Sequence, residues 1–385
     1  MLARPAAICF LSAMGLILRL LRRLLTVFGS LVLLVAVGVG GLLWLSLPTR
    51  DQQLAVPGLS GPVDVTFDAD GIPRIRADNE LDAATALGYV HARDRMFQME
   101  LMRRAAAGRL SELFGARTLP FDRQSRTLGL ARRAVEDYAA LPQATHALLE
   151  AYARGVNAWI ARRGRLSAPE FVALGAPEPW QPTDSLLWAK TLGLWLSLNW
   201  RTELARWELA GDMPRAALEA LWPPQHEAGR PDAVATTALR ATGNATRLAA
   251  ALPDFPAPFT EPNRASNAWA VDGRHTATGA PLLAGDPHLG LDFPALWYLA
   301  RIDTPAGVLA GATSPGVPLM VLGHNGHIAW TFTTNGADTE DIFIETPVGT
   351  DHYQTPDGPK PFTVRQERIG VRGGADDLLT VRETR

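Results

Sequence analysis

The sequence predicts an α+β protein, because three consecutive regions follow different patterns. Stretches between residues 79 and 222 carry apolar residues at helical spacing. Residues 223–265 are dominated by Pro, Gly, Ala and Thr and keep no apolar period, which is typical of a linker. From residue 266 onward, short apolar runs alternate with turn residues, as strands do. A helical first half followed by a β-rich second half indicates an α+β organisation.

Length and composition exclude several classes of protein. A chain of 385 residues has room for about two or three domains. A formal charge of −2 creates no global field that would attract nucleic acid, so we expect no nucleic-acid partner. The single cysteine, Cys9, excludes an intramolecular disulfide framework and a cysteine-based metal site.

Residues 1–48 are predicted to be a membrane anchor or a signal peptide. Residues 26–48 carry no charge and are long enough to span a bilayer as a helix, and arginines precede them at positions 19, 22 and 23. Positive charge on that side predicts a cytoplasmic N-terminus and an exported body. The length of the run and the absence of a clear A-x-A site favour an anchor over a cleaved signal. We expect a periplasmic body, anchored to the inner membrane.

The elements follow in order along the exported part. Residues 61–77 alternate around an Asp-Gly pair, which predicts a hairpin. Apolar periodicity then predicts helices over residues 79–115, 131–163 and 184–222, the first ending at a glycine. After the linker, strand-like runs dominate, and the Asn325-Gly326 pair between two of them predicts a second hairpin.

Ser266 is the candidate nucleophile. A serine in mid-chain is ordinarily a surface or capping residue, but Ser266 directly follows the linker. A cut before it would leave a free α-amine beside the hydroxyl, and such an amine titrates near pH 7.7–8.0. Nucleophile and base would then belong to one residue.

Five segments resemble the penicillin acylase (penicillin amidase) family of N-terminal-nucleophile hydrolases, in its order and at its spacing. They are DADGIPRIRA, LGYVHARDRMFQMELMRRAAAGRLSELFG, SNAWAVDG, LLAGDPHLGL and GHNGHIAWTFTTNGADTEDIF. The resemblance implies a four-layer αββα fold and a precursor that cuts itself. It also implies hydrolysis of the acyl-amide bond of a small molecule, such as a penicillin or cephalosporin, without an organic cofactor.

The resemblance divides the chain into functional regions. Residues 49–222 would form the α chain, residues 223–265 the excised spacer and residues 266–385 the start of the β chain. Cleavage requires the Ser266 Oγ to attack the carbonyl of Ala265. The family more commonly has glycine before the serine.

The resemblance also implies the other members of the site. His288 corresponds to a residue near the serine amine and is expected to orient that amine and tune its proton affinity. The backbone N–H of Thr334 matches the first donor to the oxyanion. A second donor, an asparagine in the family, has no counterpart before Arg385.

A structural calcium site is implied in the same way. Carboxylates crowd residues 338–341, which would ordinarily be a solvated turn. They match the family's calcium loop, with Asp338 and Asp341 as ligands, Glu340 through its carbonyl only, and Glu203 from the α chain. Oxygen ligands suit Ca²⁺. We therefore expect one structural Ca²⁺ that clamps the two chains.

The family's β chain is much longer than residues 266–385, so we expect the chain to be C-terminally truncated and poorly active by itself. Two alternatives to a penicillin-type amidohydrolase stay open. One is an acylase of N-acyl-homoserine lactones. The other is a catalytically inert fragment tethered to the membrane.

Overall fold

A computed structural model describes residues 5–49, 51–197, 199–209, 213–221, 266–289, 293–333, 340, 342–343 and 345–384. All of the predicted spacer, residues 223–265, lies outside them, and its boundaries stay a prediction. The described residues combine helices and strands, so the predicted α+β class is confirmed.

The helices occupy the N-terminal half. They are α1 (Pro5–Ser46), α2 (Glu80–Ala107), α3 (Ser111–Phe114), α4 (Leu119–Leu128), α5 (Leu130–Ala140), α6 (Gln143–Arg163), α7 (Phe171–Leu174), α8 (Pro182–Ser197), α9 (Asn199–Leu209) and α10 (Arg215–Leu221).

The predicted helix boundaries were wrong at three points. The region predicted as helical over residues 184–222 contains three helices, α8, α9 and α10. The helix predicted over residues 79–115 ends at Ala107, because Gly108 adopts a left-handed conformation with φ 65°. The helix predicted over residues 131–163 is two helices, since the chain is extended at Leu141 and Pro142 between α5 and α6. Proline was the available signal there, because it disfavours the helical conformation of the residue before it.

The strands follow mainly in the C-terminal half. They are β1 (Asp64–Phe67), β2 (Pro73–Arg76), β3 (Ser266–Val271), β4 (Leu282–Pro287), β5 (Tyr298–Thr304), β6 (Gly307–Thr313), β7 (Met320–His324), β8 (Ala329–Trp330), β9 (Pro347–Val348), β10 (His352–Thr355), β11 (Gly358–Pro361), β12 (Thr363–Ile369) and β13 (Asp377–Glu383).

The largest sheet joins the two halves of the chain. Its order is β1-β2-β5-β6-β7-β8. The β2–β5 pair is parallel and the other neighbours are antiparallel. Both predicted hairpins are confirmed: β1 and β2 flank Gly71, and β7 and β8 flank Gly326, whose φ values are 80° and 88°. The β2–β5 pairing brings a strand that precedes the helices into register with one that follows the spacer.

Helices α2 and α6 pack unusually closely, and glycine permits this. A Cβ on Gly155 would lie 1.8 Å from the carbonyl oxygen of Thr85, and one on Gly88 would lie 2.2 Å from that of Tyr152. Around this contact lie fully buried aromatic rings, among them Trp159. This pair therefore forms the centre of the helical core.

His91 ties this core to the sheet. Its Nδ1 lies 2.8 Å from the Tyr152 hydroxyl, and its Nε2 lies 2.9 Å from the Oγ1 of Thr313. Thr313 donates its own proton to the Tyr298 carbonyl, so Nε2–H of His91 donates to Thr313 and Nδ1 accepts from Tyr152. Burial, followed by the charge of Arg95, lowers the pKa of His91 to about 3. His91 is therefore a neutral packing residue.

Helix α2 carries a cluster of ion pairs around Glu100. Glu100 is almost fully buried and accepts from both Arg103 and Arg104 at 2.5 Å. Asp94 belongs elsewhere, because it accepts from the Tyr298 hydroxyl at 2.6 Å and pairs with Arg93. Arg95 donates to the Ala295 carbonyl at 2.9 Å.

Helix α1 contains a candidate membrane span. Its segment Leu18–Ser46 has a mean hydropathy of 2.3, and its most apolar part is not buried against the rest of the chain. Length and composition are therefore sufficient for a membrane crossing.

Candidate active site

The candidate nucleophile begins the hairpin formed by β3 and β4. In this antiparallel pair Ser266 lies opposite Pro287, and Asn267 lies opposite Asp286. Apolar residues such as Trp269 and Leu283 give the two strands their β pattern. The register places the residue after β4, His288, beside the first residue of β3.

Ser266 and His288 are therefore brought together, but through the backbone of His288. The His288 N–H donates to the Ser266 Oγ at 3.3 Å. Such a donor stabilises negative charge that develops on a serine oxygen when its proton is removed. Ser266 is partly buried.

The imidazole of His288 points to Asp286. Its Nε2 lies 2.7 Å from the Asp286 Oδ2. The two residues are separated by two positions at the end of β4, where alternate side chains share a face. The sequence prediction missed Asp286, although the spacing in Asp-Pro-His was the available signal.

The segment leading to Thr334 crosses the same hairpin. A Cβ on Gly285 would lie 1.9 Å from the Oγ1 of Thr331, so only glycine allows the two to be so close. This Oγ1 is buried, and no described residue is hydrogen-bonded to it. Thr334 itself lies outside the described residues, as does Ala265, and their predicted roles stay predictions.

Part of the predicted calcium site is described. Glu203 accepts a hydrogen bond from the N–H of Ile342 at 2.9 Å, so the α9 carboxylate contacts the loop that was predicted to bind the metal. Asp338 and Asp341 lie outside the described residues.

Glu340 adds a second carboxylate beside Glu203. It accepts from the N–H of Trp200 at 3.4 Å. Burial raises the pKa of Glu340, the Trp200 N–H lowers it, and the charge of Glu203 raises it further. Two carboxylates that repel each other in a partly buried place suit a divalent cation bound by oxygen. Among the described residues no group of three or more His, Cys, Asp or Glu gathers to hold a metal, so a complete site would need the undescribed aspartates.

The chain is similar to one protein family and to several acylases. Residues 62–385 match the family model described as penicillin amidase. The chain is 37% identical to a penicillin acylase 2 proenzyme from a Pseudomonas species over 88% of its own length and 45% of that protein. It is 34% identical to an acyl-homoserine lactone acylase from Pseudomonas aeruginosa, over 88% of its own length and 41% of that protein.

A solved structure is also similar. A thermostable penicillin G acylase from Alcaligenes faecalis is 26% identical, with a TM-score of 0.34, over 45% of this chain and 96% of that chain. The chain thus spans less than half the length of the curated relatives named above.

Proposed function

Because the chain belongs to the penicillin amidase family, we propose that the protein containing it hydrolyses the amide bond of small N-acyl compounds, with Ser266 as nucleophile. The observation that supports this most directly is the His288 N–H, which donates to the Ser266 Oγ at 3.3 Å. The hairpin thereby supplies a hydrogen-bond donor for a serine oxygen that is partly open to solvent.

The proposed reaction begins with scission of the Ala265–Ser266 bond. The new α-amine of Ser266 removes the Oγ proton, and Oγ attacks the substrate carbonyl. The Thr334 N–H would donate to the tetrahedral oxyanion. The proton passes to the leaving amine, an acyl-enzyme remains, and water then releases the acid and restores the hydroxyl.

Three further features belong to this proposal. Residues 49–222 and 266 onward would be the two chains of one precursor, separated by the spacer. Helix α1 would hold the body at the inner membrane with the body in the periplasm, which its exposed apolar segment supports. One Ca²⁺, bound by Glu203, Asp338 and Asp341, would clamp the chains, which the contact of Glu203 with Ile342 supports. Calcium takes no part in the chemical steps.

An acylase of N-acyl-homoserine lactones is the second candidate, because one relative at 34% identity is named as such an enzyme. The two candidates differ in the leaving amine. An assay of the complete reading frame should therefore offer both phenylacetyl- or glutaryl-substituted β-lactams and acyl-homoserine lactones of graded chain length.

The test variant is Ser266→Ala, and its matched control is Ser197→Ala. We expect Ser266→Ala to abolish hydrolysis and chain separation, whereas Ser197→Ala, whose hydroxyl donates to the Gly193 carbonyl within helix α8, should retain both. Hydrolysis by purified Ser266→Ala protein would contradict the proposed nucleophile. An intact, inactive precursor in every variant would favour the inert-fragment alternative.

A further inference from the structure

The C-terminal end of α6 touches the point where the apolar helix α1 ends. Arg163 donates from Nη2 to the carbonyl oxygen of Leu45 at 2.5 Å and lies 3.5 Å from that of Leu47. Its neighbour Arg162 lies 3.4 Å from the Oε1 of Gln52, just beyond α1. These bonds fix the body of the protein against one end of the candidate membrane span.

That end of α1 is where a bilayer surface would lie. From Leu24, the residue after the last arginine of α1, to Ser46, the helix is about 34 Å long at about 1.5 Å per residue. This matches a hydrocarbon core of about 30 Å. If Arg23 lies at one surface, Ser46 lies at the other, and the α6 terminus lies with it.

Three arginines within four sequence positions lie at the C-terminal end of α6: Arg162, Arg163 and Arg165. Arg162 and Arg165 are exposed, and among the described residues none of the three forms an ion pair. Some other surface arginines do form ion pairs, since Arg274 and Arg368, for example, each pair with an aspartate. We call the three residues the α6 arginine cluster.

A further arginine, Arg93, lies near the cluster and pairs with Asp94. Burial raises the pKa of Tyr89, whereas the charges of Arg162, Arg93 and Arg163 act in the opposite direction, so all three charges lie near one hydroxyl. The Nε of Arg163 is buried, and no described residue accepts its proton. Arg163 also lies over the Trp159 ring, with its Cζ 5.4 Å from the ring centroid, so the exposed guanidinium groups of Arg162 and Arg165 are the ones available to an anion.

We propose that the α6 arginine cluster binds the phosphates of anionic phospholipid headgroups and so holds the body flat against the bilayer that α1 crosses. The inference rests on the proposed membrane anchor and is independent of the amide chemistry. Guanidinium groups suit it, because they bind phosphate through paired N–H donors. Each arginine near an anionic surface should strengthen the contact roughly fivefold.

The test uses the full chain in lipid nanodiscs of phosphatidylcholine, with or without phosphatidylglycerol. The measurement is amide hydrogen exchange of a peptide covering residues 159–167. We expect slower exchange in the anionic discs, by up to roughly 25-fold for the two exposed arginines. High salt should remove the difference, because it screens surface charge.

The decisive variant is Arg162→Gln with Arg165→Gln, which leaves the Arg163 contacts with α1 in place. Its exchange should be equally fast in both lipids, whereas the control Arg274→Gln with Arg368→Gln loses the same charge elsewhere and should keep the difference. Equal exchange of the unaltered chain in both lipids, or loss of the difference in the control, would overturn the proposal.

Two further measurements distinguish binding of lipid headgroups from binding of a soluble anion and from loss of the membrane anchor. Inorganic phosphate added to phosphatidylcholine discs should have no effect, and slow exchange there would mean a site for a soluble anion. A chain that does not remain with the discs would overturn the anchor and the lipid contact together, while leaving the proposed hydrolysis untouched.

Discussion

The backbone N–H of His288 lies 3.3 Å from the Oγ of Ser266, while the imidazole of the same residue turns to the carboxylate of Asp286. The main chain of His288 thus contacts the proposed nucleophile, and the side chain of His288 contacts Asp286. The expected role of His288, orientation of the serine amine, would require this carboxylate to set the direction of the ring. We therefore expect Asp286 to act as a positioning residue.

Replacement of Asp286 by Asn tests this role. The substitution removes the charged acceptor 2.7 Å from the imidazole, and loss of a charge-assisted hydrogen bond should lower kcat by roughly tenfold with little change in KM. Asp272→Asn is the control, since that exposed carboxylate only pairs with Arg274. Steady-state kinetics with the best substrate make the comparison. An unchanged kcat in Asp286→Asn would show that the imidazole needs no such partner.

Calcium should stabilise the protein through Glu203. If the Glu203 carboxylate and the adjacent loop bind Ca²⁺, a chelator should lower Tm and added calcium should restore it, because a ligand of the native state stabilises by about 2.7 kcal/mol at a hundredfold excess over its Kd. Glu203→Gln should abolish most of this response in a thermal scan. Glu170→Gln, an exposed glutamate on another surface, is the control. A calcium response of normal size in Glu203→Gln would exclude Glu203 as a ligand.

His91 should make stability fall in acid. Its pKa is about 3 in the folded chain against an ordinary 6.5, so between these values the unfolded chain binds a proton that the folded chain refuses. The contribution of His91 to the free energy of unfolding is therefore fully present above pH 6.5 and falls by roughly 1.4 kcal/mol per pH unit between pH 6.5 and its folded-state pKa.

Urea unfolding at several pH values measures this slope. His91→Gln should be less stable at pH 7 because it breaks the bonds to Tyr152 and Thr313, and its stability should depend less on pH between 4 and 6.5. The exposed His275→Gln should keep the original slope. An identical slope in the His91 variant would mean that other groups cause the acid sensitivity.

Replacement of glycine by alanine should destabilise the protein at the α2–α6 contact and stabilise it at an open helical position. Gly155→Ala forces a methyl group against the Thr85 carbonyl and should lower the free energy of unfolding by about 3 kcal/mol. Gly193→Ala, in helix α8 with nothing near its Cβ, should raise it by up to about 1 kcal/mol. Urea midpoints report both. Equal tolerance of the two changes would mean that the helices can move apart freely.

Local sequence signals predicted where the strands and helices lie better than they predicted which strands pair. The Asp-Gly and Asn-Gly pairs located both hairpins, because glycine at positive φ fits those turns. The parallel pairing of Arg74 with Arg301 was not predictable, since nothing in either strand specifies a partner so distant in sequence. The early end of α2 followed from the left-handed Gly108, and several glycines in that region could equally have ended a helix.

The candidate active site was also predictable only in part. His288 was connected with Ser266 by resemblance alone, and the β3–β4 register explains why the two residues lie side by side. The orientation of the imidazole was not predictable, because it depends on a side-chain rotamer and on the Asp286 partner. Glu203 was connected with the calcium loop by resemblance alone, and its bond to Ile342 gives that link a physical basis.

The most direct test is N-terminal sequencing of the β chain from active protein made in its complete reading frame. The proposed mechanism predicts that this chain starts at Ser266, with a free amine, and that Ser266→Ala protein yields no such chain. Active protein in which Ala265 is still joined to Ser266 would contradict it.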